Sequence, residues 1–384
     1  RRAALGGTPT TTPAASGRLR ALGFARSRTG SGTVVVLPRP SARRPADRAA
    51  VGDAPPGPAP RTAPIDLADL SQATSAAPSG LHAAYSRALE RLPEYLSGGG
   101  YEPYGLGVLR EALADHHTPR RTPTPPDERL VTTGAQHAIT TLADTLLGAG
   151  DRAVVQSPTY YHAMESLRRA GARLVPVPVG RAGHGARGSD DHDAPGFDVD
   201  LFDSTLRQVA PRLVYLVPDF HNPTAYTLTP EERAGVRDAA ARHRVTVVGD
   251  ETLTDLDLDG DPDATGPVVE PLAGDGTSPY VVTVGSASKS FWGGLRVGWV
   301  RAHPDLVARL ARTRQSADIA TAVLEQLTVV ELLDDAPAVL AERRRSLRAQ
   351  RDLLCGLLAR ALPQWRVDVP EGGLSLGVNL GAPV

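Results

Sequence analysis

The chain contains very little cysteine and no long hydrophobic run. Cys355 is the single cysteine, so no disulfide can form within the chain and nothing implies an oxidising compartment. No apolar stretch approaches the ~20 residues that cross a bilayer. The first residues are polar and basic, without the apolar segment of a signal peptide. We therefore expect a cytoplasmic globular protein with no membrane partner.

Lysine is nearly absent as well. Of the 42 lysine and arginine residues, Lys289 is the only lysine. A genome-wide bias towards arginine explains why other lysines are missing, but it does not explain why this one remains. Arginine can replace lysine as a positive charge, whereas a Schiff base with a carbonyl compound needs the lysine amine. Lys289 is therefore a candidate for covalent chemistry.

The first 64 residues differ in composition from the rest of the chain. Residues 1–50 hold ten arginines and a single acidic residue, Asp47. Residues 24–36 predict a short β-hairpin around a Gly-Ser-Gly turn. Residues 38–64 are rich in proline, arginine and alanine and predict a disordered linker. We expect a domain boundary in this linker.

From about residue 65 onward, predicted helices alternate with short apolar strands. Such alternation indicates an α/β fold with a mostly parallel sheet that is covered on both faces. The helix over residues 230–243 has a complete start signal, with Thr229 as N-cap, Pro230 at the first position and Glu232 placed for a capping box. An earlier helix is predicted to bury one face, formed by Leu81, Tyr85, Ala88, Leu89 and Leu92.

Five segments with chemically useful residues each follow a predicted strand. Ligands of open α/β sheets bind beyond the carboxyl ends of the strands, so we expect these segments to share one edge of the sheet. The segments are Gly134-Ala135-Gln136, Ser157–Tyr160, Pro218–Thr224, Asp250–Thr252 and Ser286–Lys289, the last of which is followed by Gly293-Gly294-Leu295-Arg296.

Each segment has a chemical interpretation. The helix start after Gly134 suits an anion such as a phosphate, and Tyr160 can stack on a planar ring. Asp250 ends an apolar strand, where its carboxylate needs a partner or a cation such as a pyridinium. The hydroxyl groups before Lys289 and the guanidinium of Arg296 can bind a phosphate.

A structural interpretation stays open for each segment taken alone. A glycine turn is common between a strand and a helix, and Tyr160 is equally well interpreted as a core residue. Asn222 lies between prolines, where a turn is expected, and Asp250 can simply cap its strand. The most specific signal is the combination of Lys289 with Arg296 seven residues later.

In these segments the sequence resembles the class I and II aminotransferases, pyridoxal 5′-phosphate (PLP) proteins of fold type I. Within that family, it is most similar to the aminotransferase-like domain of MocR-type GntR regulators. The resemblance covers residues 64–384 and rests on Tyr101-Glu-Pro-Tyr-Gly105, TTGAQHAI, SPTYY, HNPT, VVGDET, SASK and GGLR. It implies a PLP domain over residues 65–384, with a large domain at about 100–305 and a partial small α+β domain.

The resemblance also implies roles for single residues. Lys289 would form the Schiff base, Asp250 would pair with the pyridine nitrogen and Asn222 would bind the ring hydroxyl. Tyr160 would stack on the ring. The phosphate contacts would come from Gly134, Ala135, Gln136, Ser286, Ser288 and Arg296. Tyr101 would reach the phosphate of a neighbouring subunit, which implies a homodimer, and no metal is implied.

The sequence departs from this family at three places. The usual Asn-Pro-Thr-Gly reads Asn222-Pro-Thr-Ala225, a small change at a turn. The family often has a tyrosine just after the aspartate, touching the ring hydroxyl, where this chain has Thr252 with its shorter side chain. The family also binds the substrate carboxylate through an arginine in the last part of the small domain. The chain stops soon after Gly372-Gly373-Leu374, before such an arginine, so we expect a truncated small domain.

Two functions fit these features, and a third, simpler interpretation is a truncated pseudo-enzyme that folds poorly. The first is an aminotransferase that moves an amino group between an amino acid and a 2-oxo acid. The second is a DNA-binding transcriptional regulator whose PLP domain senses PLP or an amine effector. Residues 19–36 resemble the wing of a GntR winged helix, so we interpret residues 1–37 as an incomplete remnant of that domain. A transit peptide or a disordered segment has a similar composition, and DNA is an expected partner only if a complete winged helix exists upstream.

Overall fold

Residues 25–28 and 32–35 form the two strands of the hairpin that the sequence predicts. Strand β1 (Ala25–Arg28) pairs antiparallel with β2 (Gly32–Val35), with Ala25 opposite Val35. The computed structural model describes residues 25–28, 32–35, 70, 72–117, 124–179, 196–260, 270–276 and 278–380. The other residues of the predicted winged-helix segment, and the whole predicted linker at 38–64, lie outside this part of the chain. The proposed domain limits therefore stay a prediction.

The chain divides into two compact units, Arg1–Asp69 and Leu70–Val384. A seven-stranded sheet organises the second unit, in the order β3-β9-β8-β7-β6-β4-β5. Its strands are β3 (Arg129–Thr132), β4 (Arg152–Ser157), β5 (Arg173–Pro178), β6 (Leu213–Leu216), β7 (Thr246–Asp250), β8 (Val281–Ser286) and β9 (Gly298–Arg301).

The sheet is mostly parallel, as the alternation of helices and strands predicts. Strands β5, β4, β6, β7 and β8 run parallel to one another. Strand β9 is antiparallel to both β8 and β3, so β3 points the same way as the parallel strands. The carboxyl ends of these six strands therefore lie at one edge of the sheet, where an open α/β sheet binds its ligands.

Helices cover the sheet on both faces. The helices of the second unit are α1 (Leu81–Arg91), α2 (Gly107–His117), α3 (Ala135–Leu146), α4 (Tyr161–Arg169), α5 (Val199–Val209), α6 (Pro230–His243), α7 (Ala287–Ser290), α8 (Pro304–Arg314), α9 (Val323–Asp334) and α10 (Ala336–Ala361). One apolar core joins the sheet to α3, α4 and α8, and the opposite core joins it to α5 and α6. A third core holds α1, α2 and α9 together.

Among the described residues, none of the helices combines the length and the apolar character needed to cross a membrane.

The C-terminal part of the described chain is small and mostly helical. The long helix α10 is followed by β10 (Arg366–Val367) and β11 (Val378–Asn379), which pair antiparallel. Arginines of α10 fasten it to a neighbouring loop, since Arg344 Nε donates to the Asp255 carbonyl at 2.9 Å and Arg348 Nη2 donates to the Gly260 carbonyl at 2.8 Å. This segment is α+β, and the limits and extent of a small domain stay a prediction.

Two local predictions have different outcomes. The capping box of α6 is confirmed, because Thr229 Oγ1 accepts from the Glu232 N–H at 3.2 Å and the Glu232 carboxylate accepts from the Thr229 N–H at 2.8 Å. The predicted buried face of α1 is wrong at Leu89, which is 53% exposed. Leu81, Ala84 and Ala88 are the buried residues of α1, and Leu89 lies one residue beyond this stripe, on the outer side of the helix.

Replacing Thr229 by alanine is expected to lower the free energy of unfolding by about 1 kcal/mol. The change leaves the Glu232 N–H at the start of α6 without its side-chain acceptor. Urea unfolding followed by circular dichroism measures the effect. The control is Thr205→Ala on α5, which removes a hydroxyl that donates to the Leu201 carbonyl within its own helix. An equal loss of unfolding free energy in both variants would show that the capping box contributes no more to stability than a hydroxyl within a helix.

Candidate active site

The single lysine lies directly beyond the end of a buried strand. Strand β8 ends at Ser286, whose Oγ accepts from the Ser288 N–H at 3.1 Å and so begins the short helix α7. Lys289 follows on this helix, and its Nζ donates to the carbonyl oxygen of Ala73 at 2.7 Å. Burial lowers the pKa of Lys289, the carboxylate of Asp250 opposes this shift and the guanidinium of Arg296 adds to it. The lowered pKa increases the neutral fraction of the amine, which is the nucleophilic form.

A buried carboxylate lies at the end of the neighbouring strand. Asp250 is the last residue of β7 and is 4% exposed. Its Oδ2 accepts from the hydroxyl of Tyr215 on β6 at 2.6 Å, and its Oδ1 accepts from the backbone N–H of Thr252 at 3.2 Å. Burial raises the pKa of Asp250, while hydrogen bonds from Tyr215 and Thr252 and the charge of Lys289 oppose that increase. The carboxylate is therefore held between fixed donors.

Tyr160 shares the surroundings of these two groups. It immediately precedes α4, and its partly buried ring packs against the core on one face of the sheet. Burial raises the pKa of Tyr160, the negative charge of Asp250 raises it further and Arg296 lowers it. The charges of Asp250 and Arg296 therefore act on both Tyr160 and Lys289.

A cradle for an anion forms where β3 meets α3. Gly134 begins the helix with φ +84°, and no side chain caps this end. The first N–H groups of α3, among them those of Ala135 and Gln136, have no carbonyl one turn earlier in the helix to bind. Arg296, at φ +51°, returns to this turn and its Nη2 donates to the Thr133 carbonyl at 3.3 Å. Helix N–H groups and a guanidinium together favour a phosphate.

Gly134 permits this close approach. A Cβ atom at residue 134 would lie 2.6 Å from Nη2 of Arg296, a separation that real side chains do not show. The positive φ of Gly134 is also a conformation that residues with a side chain rarely adopt. The positive φ therefore favours glycine at this turn, and an added Cβ would displace the guanidinium of Arg296.

The other predicted phosphate residues differ in what their side chains already bind. The Ser286 hydroxyl donates to the Val297 carbonyl at 3.1 Å while it caps α7, so it is engaged within the protein. The Gln136 amide donates to Ser166 Oγ at 2.8 Å, which turns its side chain towards α4. In contrast, Ser288 Oγ is buried with no hydrogen-bond partner among the described residues. A buried hydroxyl in this situation is suited to a ligand atom.

The loop after β6 is held by a buried ion pair. Arg233 Nη2 contacts Asp219 Oδ1 at 2.5 Å, both side chains are at most 1% exposed, and the Thr254 hydroxyl also donates to Asp219. Arg233 Nη2 donates in addition to the Pro218 carbonyl at 3.1 Å. These bonds fix the backbone that leads to Asn222, which is half-buried in the same loop.

His221, next to Asn222, is fully buried. Its backbone N–H donates to the Tyr226 carbonyl at 2.8 Å, its Nδ1 lies 2.8 Å from Thr224 Oγ1, and its Nε2 has no partner among the described residues. Burial lowers the pKa of His221 to about 4. The ring is therefore neutral at physiological pH, and the loop carries no charge beside Asn222.

Sequence reasoning missed a second network, which holds the Gly134 turn. The guanidinium of Arg314 is completely buried and donates to the Val131 carbonyl at 2.5 Å and to Asp318 Oδ2 at 2.8 Å. The same carboxylate oxygen accepts from the hydroxyl of Thr133 at 2.6 Å, and the Thr133 N–H donates to Nδ1 of His137 at 3.1 Å. Arg314 and Asp318 are distant in sequence from the turn, so spacing alone does not reveal them.

Tyr215 is the other residue that the sequence did not single out. It lies in the apolar strand segment Leu213–Leu216, where its aromatic ring reads as a core residue. The hydroxyl of Tyr215 could have indicated its role. A buried tyrosine normally needs a hydrogen-bond partner, and the neighbouring strand ends in Asp250. The Thr252 backbone N–H contributes to the same carboxylate. A contact between the Thr252 side chain and the ring hydroxyl of PLP stays a prediction.

Tyr101 is an exposed residue. Its side chain is 69% exposed, and it forms no hydrogen bond to the other predicted site residues within the described part of the chain. Exposure is compatible with a role towards a second subunit, which stays a prediction.

The fold and this site define a protein of the aminotransferase type. Comparison with known families agrees, because the profile described as aminotransferase class I and II matches residues 81–382. The chain belongs to this family.

Individual relatives fall into two groups. The 2-aminoadipate transaminase of Thermus thermophilus is 30% identical over 257 residues, which cover 66% of this chain and 61% of the relative. The uncharacterized HTH-type transcriptional regulator YisV of Bacillus subtilis is 26% identical over 292 residues, covering 75% of this chain and 56% of the relative. The chain thus spans about three fifths of the length of these relatives.

Solved structures agree on the fold. The α-aminoadipate aminotransferase LysN of Thermus thermophilus, complexed with N-(5′-phosphopyridoxyl)-L-leucine, superposes with a TM-score of 0.65 at 28% identity, covering 78% of this chain and 74% of LysN. The kynurenine aminotransferase of Pyrococcus horikoshii has a TM-score of 0.67 at 22% identity, with coverages of 78% and 73%. The second likeness supports the fold alone.

The stability of the protein is expected to fall as the pH decreases from 6.5 to about 4. The pKa of His221 is depressed to about 4 by folding from an ordinary 6.5, so in this window the unfolded chain binds a proton that the folded chain does not. The contribution of His221 to the free energy of unfolding is therefore complete above pH 6.5 and decreases by roughly 3 kcal/mol as the pH falls through the window.

Urea unfolding at a series of pH values, compared between the parent and His221→Gln, isolates this contribution. The variant should show a flatter dependence between pH 6.5 and 4. The control is His303→Gln, since the side chain of His303 is 55% exposed. Equal pH dependence in the parent and in His221→Gln would contradict the assignment.

Proposed function

We propose that residues 70–384 bind PLP covalently through Lys289 and move an amino group between an amino acid and a 2-oxo acid. The observation that carries this proposal is the grouping of three features at one edge of the sheet. They are a lysine amine with a lowered pKa, a buried carboxylate at Asp250 and an anion cradle at Gly134 and Arg296. PLP offers an aldehyde, a pyridine nitrogen and a phosphate to match them.

The residues present fit this cofactor. The N–H groups at the start of α3, the guanidinium of Arg296 and the unpartnered Ser288 hydroxyl would hold the phosphate. Asp250 would pair with the pyridine nitrogen and Tyr160 would lie against the ring. Asn222 would bind the ring hydroxyl from a loop that the Asp219–Arg233 ion pair fixes.

When bound, PLP supplies an electron-withdrawing ring that makes the proton on the substrate's α-carbon acidic. Asp250 would supply a negative charge to the pyridine nitrogen and so favour the protonated form of that nitrogen. The amine of Lys289, once displaced by the substrate amine, would act as the base that takes the proton from the α-carbon and returns it elsewhere. Its lowered pKa suits that role, since an amine must be neutral to accept a proton.

A homodimer is part of the proposal. The exposed position of Tyr101 supports it, because a side chain that is 69% exposed is free to reach the phosphate site of a second subunit.

A second candidate function is that of a regulator that senses PLP or an amine effector. It is favoured by the similarity to YisV and by that to the HTH-type transcriptional regulator NorG of Staphylococcus aureus, which is 24% identical over 285 residues and covers 59% of NorG. The β1–β2 hairpin is compatible with the wing of a DNA-binding domain. Both functions use the same PLP site.

The purified protein is expected to show, with PLP, the visible absorption band of a lysine-bound cofactor, and Lys289→Ala is expected to lack it. Because the chain has no other lysine, no second side chain can replace the missing amine. Absorption spectra of both proteins after removal of free PLP test this. A folded parent without the band would refute the proposed function.

Addition of amino acids separates the two functions. A transaminase converts the band to that of the pyridoxamine form and returns it on addition of a 2-oxo acid. A sensor keeps the cofactor unconverted, and a mobility-shift assay with DNA then tests the regulatory function.

Gly134→Ala is expected to weaken PLP binding by roughly 10- to 100-fold, the effect of losing one charge-assisted hydrogen bond. The new Cβ would displace Arg296, whose Nη2 lies within 2.6 Å of its position. The control is Gly150→Ala, since Gly150 has a similar φ of +86° but no atom within 4 Å of an added Cβ. Equilibrium dialysis with PLP gives both dissociation constants, and equal affinities in the two variants would contradict the cradle.

A further inference from the structure

Tyr215 and Asp250 face the same side of the sheet on adjacent strands. Strands β6 and β7 are parallel, and Tyr215 is paired with Val248 in their register. Side chains alternate along a strand, so Asp250, two residues beyond Val248, points to the same face as Tyr215. Both side chains are buried, at 1% and 4% exposure. The backbone of the sheet therefore fixes their relative position.

The hydrogen bonds of Asp250 determine its orientation. The Tyr215 hydroxyl occupies one acceptor site of Oδ2, at 2.6 Å, and the Thr252 N–H occupies one acceptor site of Oδ1, at 3.2 Å. The Thr252 side chain also bonds to this carboxylate. With donors on both oxygens, the carboxylate cannot rotate without breaking a bond. A carboxylate has about four acceptor sites, so these three donors leave room for a ligand.

We propose that Tyr215 is a positioning residue that holds the Asp250 carboxylate in the orientation required by the pyridine nitrogen of PLP. This inference rests on the proposed function and deepens it. Tyr215 does not touch the cofactor in this arrangement, since it acts through Asp250. Tyr215 donates from a neighbouring strand through its hydroxyl alone, so Tyr215→Phe removes this bond and leaves the donors of Thr252 in place.

The charges around Asp250 decide what the loss of Tyr215 would do. The titratable groups that face Asp250 are Tyr215 from β6, Tyr160 from the start of α4 and Lys289 from α7, with Arg296 acting on the last two. Burial raises the pKa of Asp250, and the hydrogen bond from Tyr215 opposes that increase. Without the hydroxyl, the pKa of Asp250 rises further, and the carboxylate is protonated at a higher pH.

The experiment compares PLP binding by the full chain, by Tyr215→Phe and by Tyr226→Phe between pH 5 and 9. Tyr226 is a matched control, because its hydroxyl also donates to a carboxylate, that of Glu232 at 2.7 Å, outside the proposed site. We expect Tyr215→Phe to bind PLP at least about tenfold more weakly at the acid end, with a smaller loss at high pH. In Tyr215→Phe, the loss of PLP affinity at low pH should begin at a higher pH than in the parent. In Tyr226→Phe, it should begin at the same pH as in the parent.

A double-mutant cycle tests whether Tyr215 acts through Asp250. In the Asp250→Asn background, adding Tyr215→Phe should change the dissociation constant by less than about twofold, because no ionisable carboxylate remains to be positioned. If Tyr215→Phe does not fold, incorporation of 3-fluorotyrosine keeps the side-chain volume and strengthens the hydroxyl donor. The loss of PLP affinity at low pH should then begin at a lower pH than in the parent.

The outcomes separate this inference from the proposed function. A loss of affinity that is equal at every pH, or that persists in the Asp250→Asn background, would show that Tyr215 has only a packing role and would overturn the inference. Equal profiles for Tyr215→Phe and Tyr226→Phe would do the same. A parent protein that binds no PLP would refute the proposed function itself.

Discussion

The carboxylate of Asp250 has been removed from water at the end of an apolar strand, and this constraint determines the arrangement around it. A buried negative charge is costly unless donors or a cation compensate for it. Tyr215 and Thr252 supply donors from inside the protein, and Lys289 supplies a nearby positive charge. The same burial that raises the pKa of Asp250 lowers that of Lys289, so one desolvated environment adjusts both groups.

The site is built mainly from backbone positions that the sheet defines. Strands β3, β4, β6, β7 and β8 end at the same edge, and the functional groups of the site lie at these strand ends or in the segments that follow them. Two buried arginines stabilise these segments through hydrogen bonds. Arg233 binds Asp219 in the loop that leads to Asn222, and Arg314 binds the Val131 carbonyl just before the Gly134 turn. In this chain, arginine therefore performs the structural work that lysine cannot, since its planar guanidinium binds several carbonyls and a carboxylate at once.

Much of the fold and of the site follows from the sequence because the relevant signals are local. The capping box at Thr229 and the lysine at 289 lie in short motifs whose chemistry is complete in a few residues. Tyr215 and Arg314 could not be assigned in this way, because their partners come from other strands and helices and only the register brings them together. The face of α1 was misassigned at Leu89 because several stripes of the helix contain apolar residues, and only packing against α9 decides between them.

Because Lys289 is the single lysine of the chain, it can be labelled selectively. Reagents that react with ε-amino groups, such as succinimidyl esters, or formaldehyde with a borohydride, have one side-chain target in the entire chain. That target lies half-buried, with its amine bound to the Ala73 carbonyl. Apart from the α-amino group, such labelling therefore measures the accessibility of one defined position. It does so without any substitution in the protein.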